Sequence, residues 1–230
     1  MSSKYKSGKD STKAATWITV GVLVATTLGI IVLGLSQSPS SDGTGAGALA
    51  PAITDVDWKA GAIDAKVSVI EYGDFQCPAC GAYHPIVKRL IDEYKDRVIF
   101  VYRDFPLDQV HENARIAAQA AEAAGLQGKY WEMHNLLFEK QNSWSLLPFG
   151  IGARGSIESI ASSLGLDMDK FRSDIDSNGV KENVNADAAG GEAASVNHTP
   201  TFFVNLKQIK NPAGYDEFKS IIDQALAETS

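Results

Sequence analysis

Runs and alternations of apolar residues divide most of the chain into strands and helices. Residues 67–72 are β-branched and aromatic, which predicts a strand buried on both faces. Gly73 and Asp74 interrupt it. Pro78 suits the first turn of a helix, where its missing N–H would have no partner. Ile86, Val87, Leu90, Ile91 and Tyr94 then recur at helical spacing, so a helix begins just after Cys77. Residues 98–102 predict a second buried strand, parallel to the first because a full helix crosses between them. Residues 111–124 are alanine-rich and helical, stopped by Gly125. Residues 129–140 set Tyr130, His134, Leu137 and Phe138 on one face, with Trp131 and Trp144 packing the region. Further helices are predicted over 156–164, 167–175 and 180–194, and a glycine-containing loop over 150–155. Residues 201–205 return to strand, 207–210 pair with it after a turn, and 214–226 close as a helix with Phe218, Ile221, Ile222 and Ala225 inward. The fold class is α/β, with the sheet interrupted by helices over about 106–194.

Before residue 51 the pattern changes. Lys4, Lys6, Lys9 and Lys13 against Asp10 make residues 1–13 a basic tail of charge +3. Residues 14–35 are 22 positions without a charged side chain. As a helix they would be about 33 Å long, enough to cross a bilayer core. The preceding lysines place that end in the cytoplasm. The expectation is a single-pass protein of the cell membrane, with the remainder extracytoplasmic. Ala48-Leu49-Ala50 looks like a cleavage site, yet the apolar stretch exceeds the usual signal core of about 7–15 residues, so an uncleaved anchor is favoured. Residues 36–50, rich in Ser, Gly, Ala and Pro, read as a flexible tether. Residues 51–230 are globular and fit one domain. The chain carries −7, of which this domain accounts for −9; an acidic surface argues against a nucleic-acid partner.

The chain has two cysteines, Cys77 and Cys80, placed where a strand gives way to a helix. Unpaired N–H groups and the positive end of the helix dipole favour a thiolate at Cys77. Cys80, one turn on, faces the same side and can close a disulfide with it, so thiol–disulfide exchange is within reach. A permanent structural disulfide, half of a metal site and two incidental thiols are the competing readings. Cys77, Cys80 and His84 form C-x₂-C-x₃-H, to which His198 could add a fourth ligand for zinc or copper. Farther along, Pro200 enters a strand at its first position. A Thr–Pro bond tolerates cis at modest cost, and the sequence leaves the isomer open.

Strand, CxxC at a helix start, strand, helical insertion and Thr-Pro entering a strand follow the thioredoxin-like order. The motifs Glu71-Tyr72-Gly73-Asp74-Phe75-Gln76-Cys77-Pro78-Ala79-Cys80, Tyr102-Arg103-Asp104-Phe105-Pro106-Leu107, Tyr130-Trp131-Glu132-Met133-His134 and Thr199-Pro200-Thr201-Phe202-Phe203-Val204-Asn205 resemble those of DsbA-type thiol–disulfide oxidoreductases. That resemblance implies a thioredoxin-like fold split by a helical insertion. It implies that Cys77 is the exposed attacking sulfur and Cys80 the buried resolving one. It also implies that Pro200 is cis against the disulfide, and that the backbone of Thr199 pairs with an extended substrate peptide. Glu71 matches a buried acid that helps move the proton of the buried cysteine; it sits in an apolar strand, where a carboxylate needs a reason to be. Pro78-Ala79 stands where the strongest oxidant of the family has Pro-His, and His198 stands where the family often has Gly. Through the resemblance the expected function is donation of disulfides to exported, reduced proteins. A membrane redox partner would restore the disulfide, and no cofactor is expected. A reductase or isomerase running the same chemistry backwards is the alternative, followed by a Cys/His metal-binding protein.

Overall fold

The computed structural model describes residues 48–148 and 151–229. The tail at 1–13, the apolar segment at 14–35 and the tether up to residue 47 lie outside the described residues. Five strands form one sheet: β1 (Trp58–Gly61), β2 (Val67–Gly73), β3 (Val98–Asp104), β4 (Thr201–Val204) and β5 (Lys207–Gln208), in the order β1-β3-β2-β4-β5. β2 and β3 are parallel, with Val67 opposite Val98 and Glu71 opposite Tyr102. Helix α1 (Pro78–Tyr94) makes the crossover between them. The other three pairings are antiparallel. Every residue of β2 and β3 is buried, as expected of strands covered on both faces.

Between β3 and β4 lie α2 (Ala114–Gly125), α3 (Tyr130–Glu139), α4 (Gln141–Trp144), α5 (Ile151–Ser163), α6 (Met168–Ile175) and α7 (Asn178–Ala193). The alanine face of α2 is the centre of this insertion. Its short side chains let the helix sit close against Met133, Leu137, Trp144, Ile157 and Phe171. Helix α8 (Tyr215–Glu228) buries Phe218, Ile222 and Ala225, three of the four positions the apolar spacing puts inward, and Ile221 is partly buried beside them.

Three details depart from the sequence pattern. Helix α5 begins at Ile151, inside the segment expected to be a loop. Strand β1 has no apolar alternation and pairs at the sheet edge. The tether reaches the fold before residue 51: Leu49 bridges Lys207, and Ala50 N–H donates to Leu206 O at 2.8 Å.

Candidate active site

The chain leaves β2 at Gly73, turns through residues 74–76 and enters α1. Cys77 is the N-cap of that helix, with extended backbone (φ −66°, ψ 122°), and Pro78 opens the first turn. Gly81 N–H closes the first helical bond to Cys77 O at 3.1 Å. Gln141 at the start of α4 reaches across, and its Nε2 donates to Phe75 O (2.8 Å) and Cys77 O (2.9 Å). A Cβ at position 81 would lie 2.7 Å from Gln141 Oε1, so Gly81 leaves room for this side chain. Replacing Gln141 with Ala is expected to lower stability by about 1 kcal/mol, because two carbonyls share the lost donor. Urea denaturation of the reduced protein measures this, and an unchanged midpoint would contradict it.

Both cysteines are free thiols in this structure. Cys80 is 0% exposed and Cys77 only 7%, so the outer sulfur is more covered than the resemblance implied. Asp74 N–H points at Cys80 Sγ (3.5 Å), and the Cys77 thiol lies 3.4 Å from Thr199 O. The Thr199–Pro200 peptide is cis, and both residues are buried.

The two sulfurs differ sharply in acidity. A hydrogen bond from Cys80 lowers the Cys77 pKa to about 5, helped by Thr199 and by the N–H groups of Cys80 and Ala79 and opposed by burial. Burial pushes Cys80 well above the usual thiol range, and its bond to Cys77 and the charge of Glu71 add to that. Glu71, 5% exposed on β2, is raised to about 8 by burial and by the neighbouring Cys77 charge. It lines a cavity of about 10 Å³ with Tyr102, Trp131 and His134.

Of the residues singled out in sequence, Cys77, Cys80, Glu71, Thr199 and Pro200 converge on this corner of the sheet. His84 and His198 do not join them. His84 is buried between Phe138 and His134, and His198 is exposed and bonded to Asn197. The C-x₂-C-x₃-H set with His198 is therefore not gathered around one point. Among the described residues, the ligand atoms close enough to hold an ion belong to Asp104, Glu122 and Asp187, all within 4.8 Å of one another. Trp58 and Asn183 donate to Glu122, and Asp104 N–H donates to Asp187. Both carboxylate oxygens of Asp104, 1% exposed, lack a hydrogen-bond partner among the described residues. Burial raises all three acids, Asp187 to about 7. Oxygen donors of this kind suit a hard cation. The cluster was missed in sequence, although a Glu within the alanine-rich α2 was a signal.

The family model described as Thioredoxin matches residues 54–224. The chain belongs to the thioredoxin family. Its fold is thioredoxin-like, with a helical insertion between β3 and β4. It is similar to the structure of oxidised BdbD from Bacillus subtilis, with 27% identity, a TM-score of 0.66 and coverage of 79% of this chain and 98% of that one. It shares the fold of alpha-DsbA1 from Wolbachia pipientis at 21% identity and a TM-score of 0.65, covering 76% and 94%. Curated relatives include proteins named Na(+)/H(+) antiporter NhaA 1 from Salinispora arenicola (36% identity over 79% of this chain) and Mycolicibacterium vanbaalenii (37% over 71%). The chain spans 26% of the length of each.

These findings correct the single-pass placement in the cell membrane with an extracytoplasmic domain. Among the described residues no helix is long and apolar enough to cross a membrane, and the matching relatives carry the name of antiporters. Residues 14–35, on which that placement rested, lie outside the described residues.

Proposed function

We propose that this oxidoreductase works as an oxidant, introducing disulfides into reduced protein substrates through Cys77 and Cys80. The observation that carries this reading is the acidity gap between the two sulfurs, with Cys77 lowered to about 5 and Cys80 raised. A thiolate stabilised in the dithiol form makes the disulfide form eager to accept electrons. A substrate thiolate attacks Cys77 Sγ, the Cys77–Cys80 bond breaks, and Cys80 leaves with the electron pair. Glu71, protonated at neutral pH, supplies the proton that converts Cys80 to a thiol. The second substrate thiolate then attacks the substrate sulfur of the mixed disulfide. It releases Cys77 as the thiolate and leaves the substrate oxidised by two electrons. Thr199 offers backbone groups to an extended substrate segment beside the sulfurs, with Pro200 fixing the approach. The catalytic unit is the thioredoxin-like domain over 51–230, with its helical insertion at about 106–194. A separate redox partner restores the disulfide.

Oxidised protein mixed with reduced, unfolded ribonuclease tests the direction. The expected result is loss of substrate thiols, one pair per enzyme disulfide, counted by alkylation and mass spectrometry. If instead only the reduced form acts, opening disulfides in insulin, the protein is a reductase.

A further inference from the structure

Asp74 lies between Gly73 and the CxxC turn, and it is buried. Its carboxylate accepts from Gln76 N (2.7 Å) and Leu107 N (3.0 Å), and it pairs with His111 Nδ1 at 2.7 Å. Its backbone touches both cysteines: the N–H points at Cys80 Sγ (3.5 Å), and the carbonyl accepts from Cys77 N at 3.0 Å. Leu107 and His111 belong to the segment between β3 and α2. The insertion therefore grips the residue whose N–H faces the inner sulfur.

Resting on the oxidant reading above, we infer that Asp74 and His111 form a positioning pair that holds the Asp74 N–H on Cys80 as that sulfur leaves. When a substrate thiolate bonds to Cys77 Sγ, the Cys77–Cys80 bond breaks and the electron pair stays on Cys80 Sγ. A hydrogen bond to a charged sulfur is stronger than one to a thiol, so this N–H stabilises the departing thiolate more than the intact disulfide. Its direction depends on the Gly73–Asp74 peptide plane, which Phe105 N–H holds at Gly73 O (2.7 Å) and the three side-chain bonds of Asp74 hold on the other side. Besides its N–H bond to Asp74 O, Cys77 is held through its carbonyl by Gln141 Nε2 and Gly81 N–H, neither of which involves His111. Loss of His111 should therefore slow disulfide opening while leaving the acidity of Cys77 in place.

The test uses the full chain in its oxidised form. The rate at which dithiothreitol opens the disulfide is followed by acid quench and alkylation, and the thiolate absorbance of the reduced form is followed against pH. His111→Ala is expected to open about tenfold more slowly, which corresponds to about 1.4 kcal/mol, with the Cys77 titration unchanged. His111→Asn places an amide N–H near the position of Nδ1 and should recover most of the rate. Asp74→Asn keeps the backbone but weakens the pairing and should also be slow. Opening of the Ala variant at the parent rate overturns the inference. So does an Asn variant as slow as Ala, or a Cys77 titration that shifts in step with the rate. If the parent disulfide opens normally but no substrate protein is oxidised, the oxidant reading fails instead, while the measured role of His111 in opening stands.

Discussion

Cys77→Ser is expected to abolish exchange, whereas Cys80→Ser is expected to accumulate enzyme–substrate mixed disulfides. Only the thiolate attacks. With a pKa of about 5, Cys77 is ionised at neutral pH in a ratio of roughly a hundred to one. Cys80, buried and raised, remains a thiol. Serine at 77 removes the sulfur that forms the mixed disulfide. Serine at 80 leaves that sulfur but removes the group that would release the substrate from it. Non-reducing electrophoresis against a disulfide-bearing substrate, whose S–S bond the Cys77 thiolate opens to release one substrate thiolate, displays the trapped species. In the reduced parent, iodoacetamide should modify Cys77 far faster than Cys80. Equal rates would contradict the assignment.

Glu71→Gln is expected to raise the stability of the reduced protein at alkaline pH while slowing exchange. Folding raises the Glu71 pKa from its ordinary 4.5 to about 8. Below 4.5 the carboxyl is protonated in both states and costs nothing. As pH rises from there to about 8, the unfolded chain ionises while the folded one holds its proton, so stability is progressively lost. The loss is on the order of 3–5 kcal/mol at pH 8.5. Glutamine mimics the protonated form and removes this dependence. Urea denaturation at pH 4 should give similar stability for parent and variant, with the variant ahead at pH 8.5. The Cys77 thiolate is present in both proteins, so the difference isolates position 71. Exchange should fall by about a hundredfold for want of a proton donor to Cys80. A variant no more stable than the parent at pH 8.5 would show that folding does not raise the Glu71 pKa.

Much of the architecture was legible along the chain. β2 and β3 are buried on both faces, which concentrates β-branched and aromatic residues into recognisable runs. The helices on either side repeat their apolar positions at helical spacing. β1 escaped notice because an edge strand of four residues, Trp58–Gly61, carries no such pattern. The start of α5 at Ile151 was obscured by Gly152 and Gly155, which are unusual in a helix.

The site divides along the same physical line. The sequence by itself determined that Cys77 and Cys80 lie together, because two cysteines three positions apart at a strand-to-helix junction need only local geometry to meet. It also marked Glu71, since a carboxylate inside an apolar strand stands out against its neighbours. The tertiary structure decided which charges surround that pair. Gln141 comes from 64 residues beyond Cys77 to donate to its carbonyl, and His111 from 37 beyond Asp74 to hold its carboxylate. His84 and His198, plausible ligands by spacing, are turned to other neighbours. Asp104, Glu122 and Asp187 meet only because α2 and α7 pack beside the end of β3. Periodicity reports which face a residue lies on, but the identity of the group opposite that face depends on how separate elements dock, which no local pattern encodes.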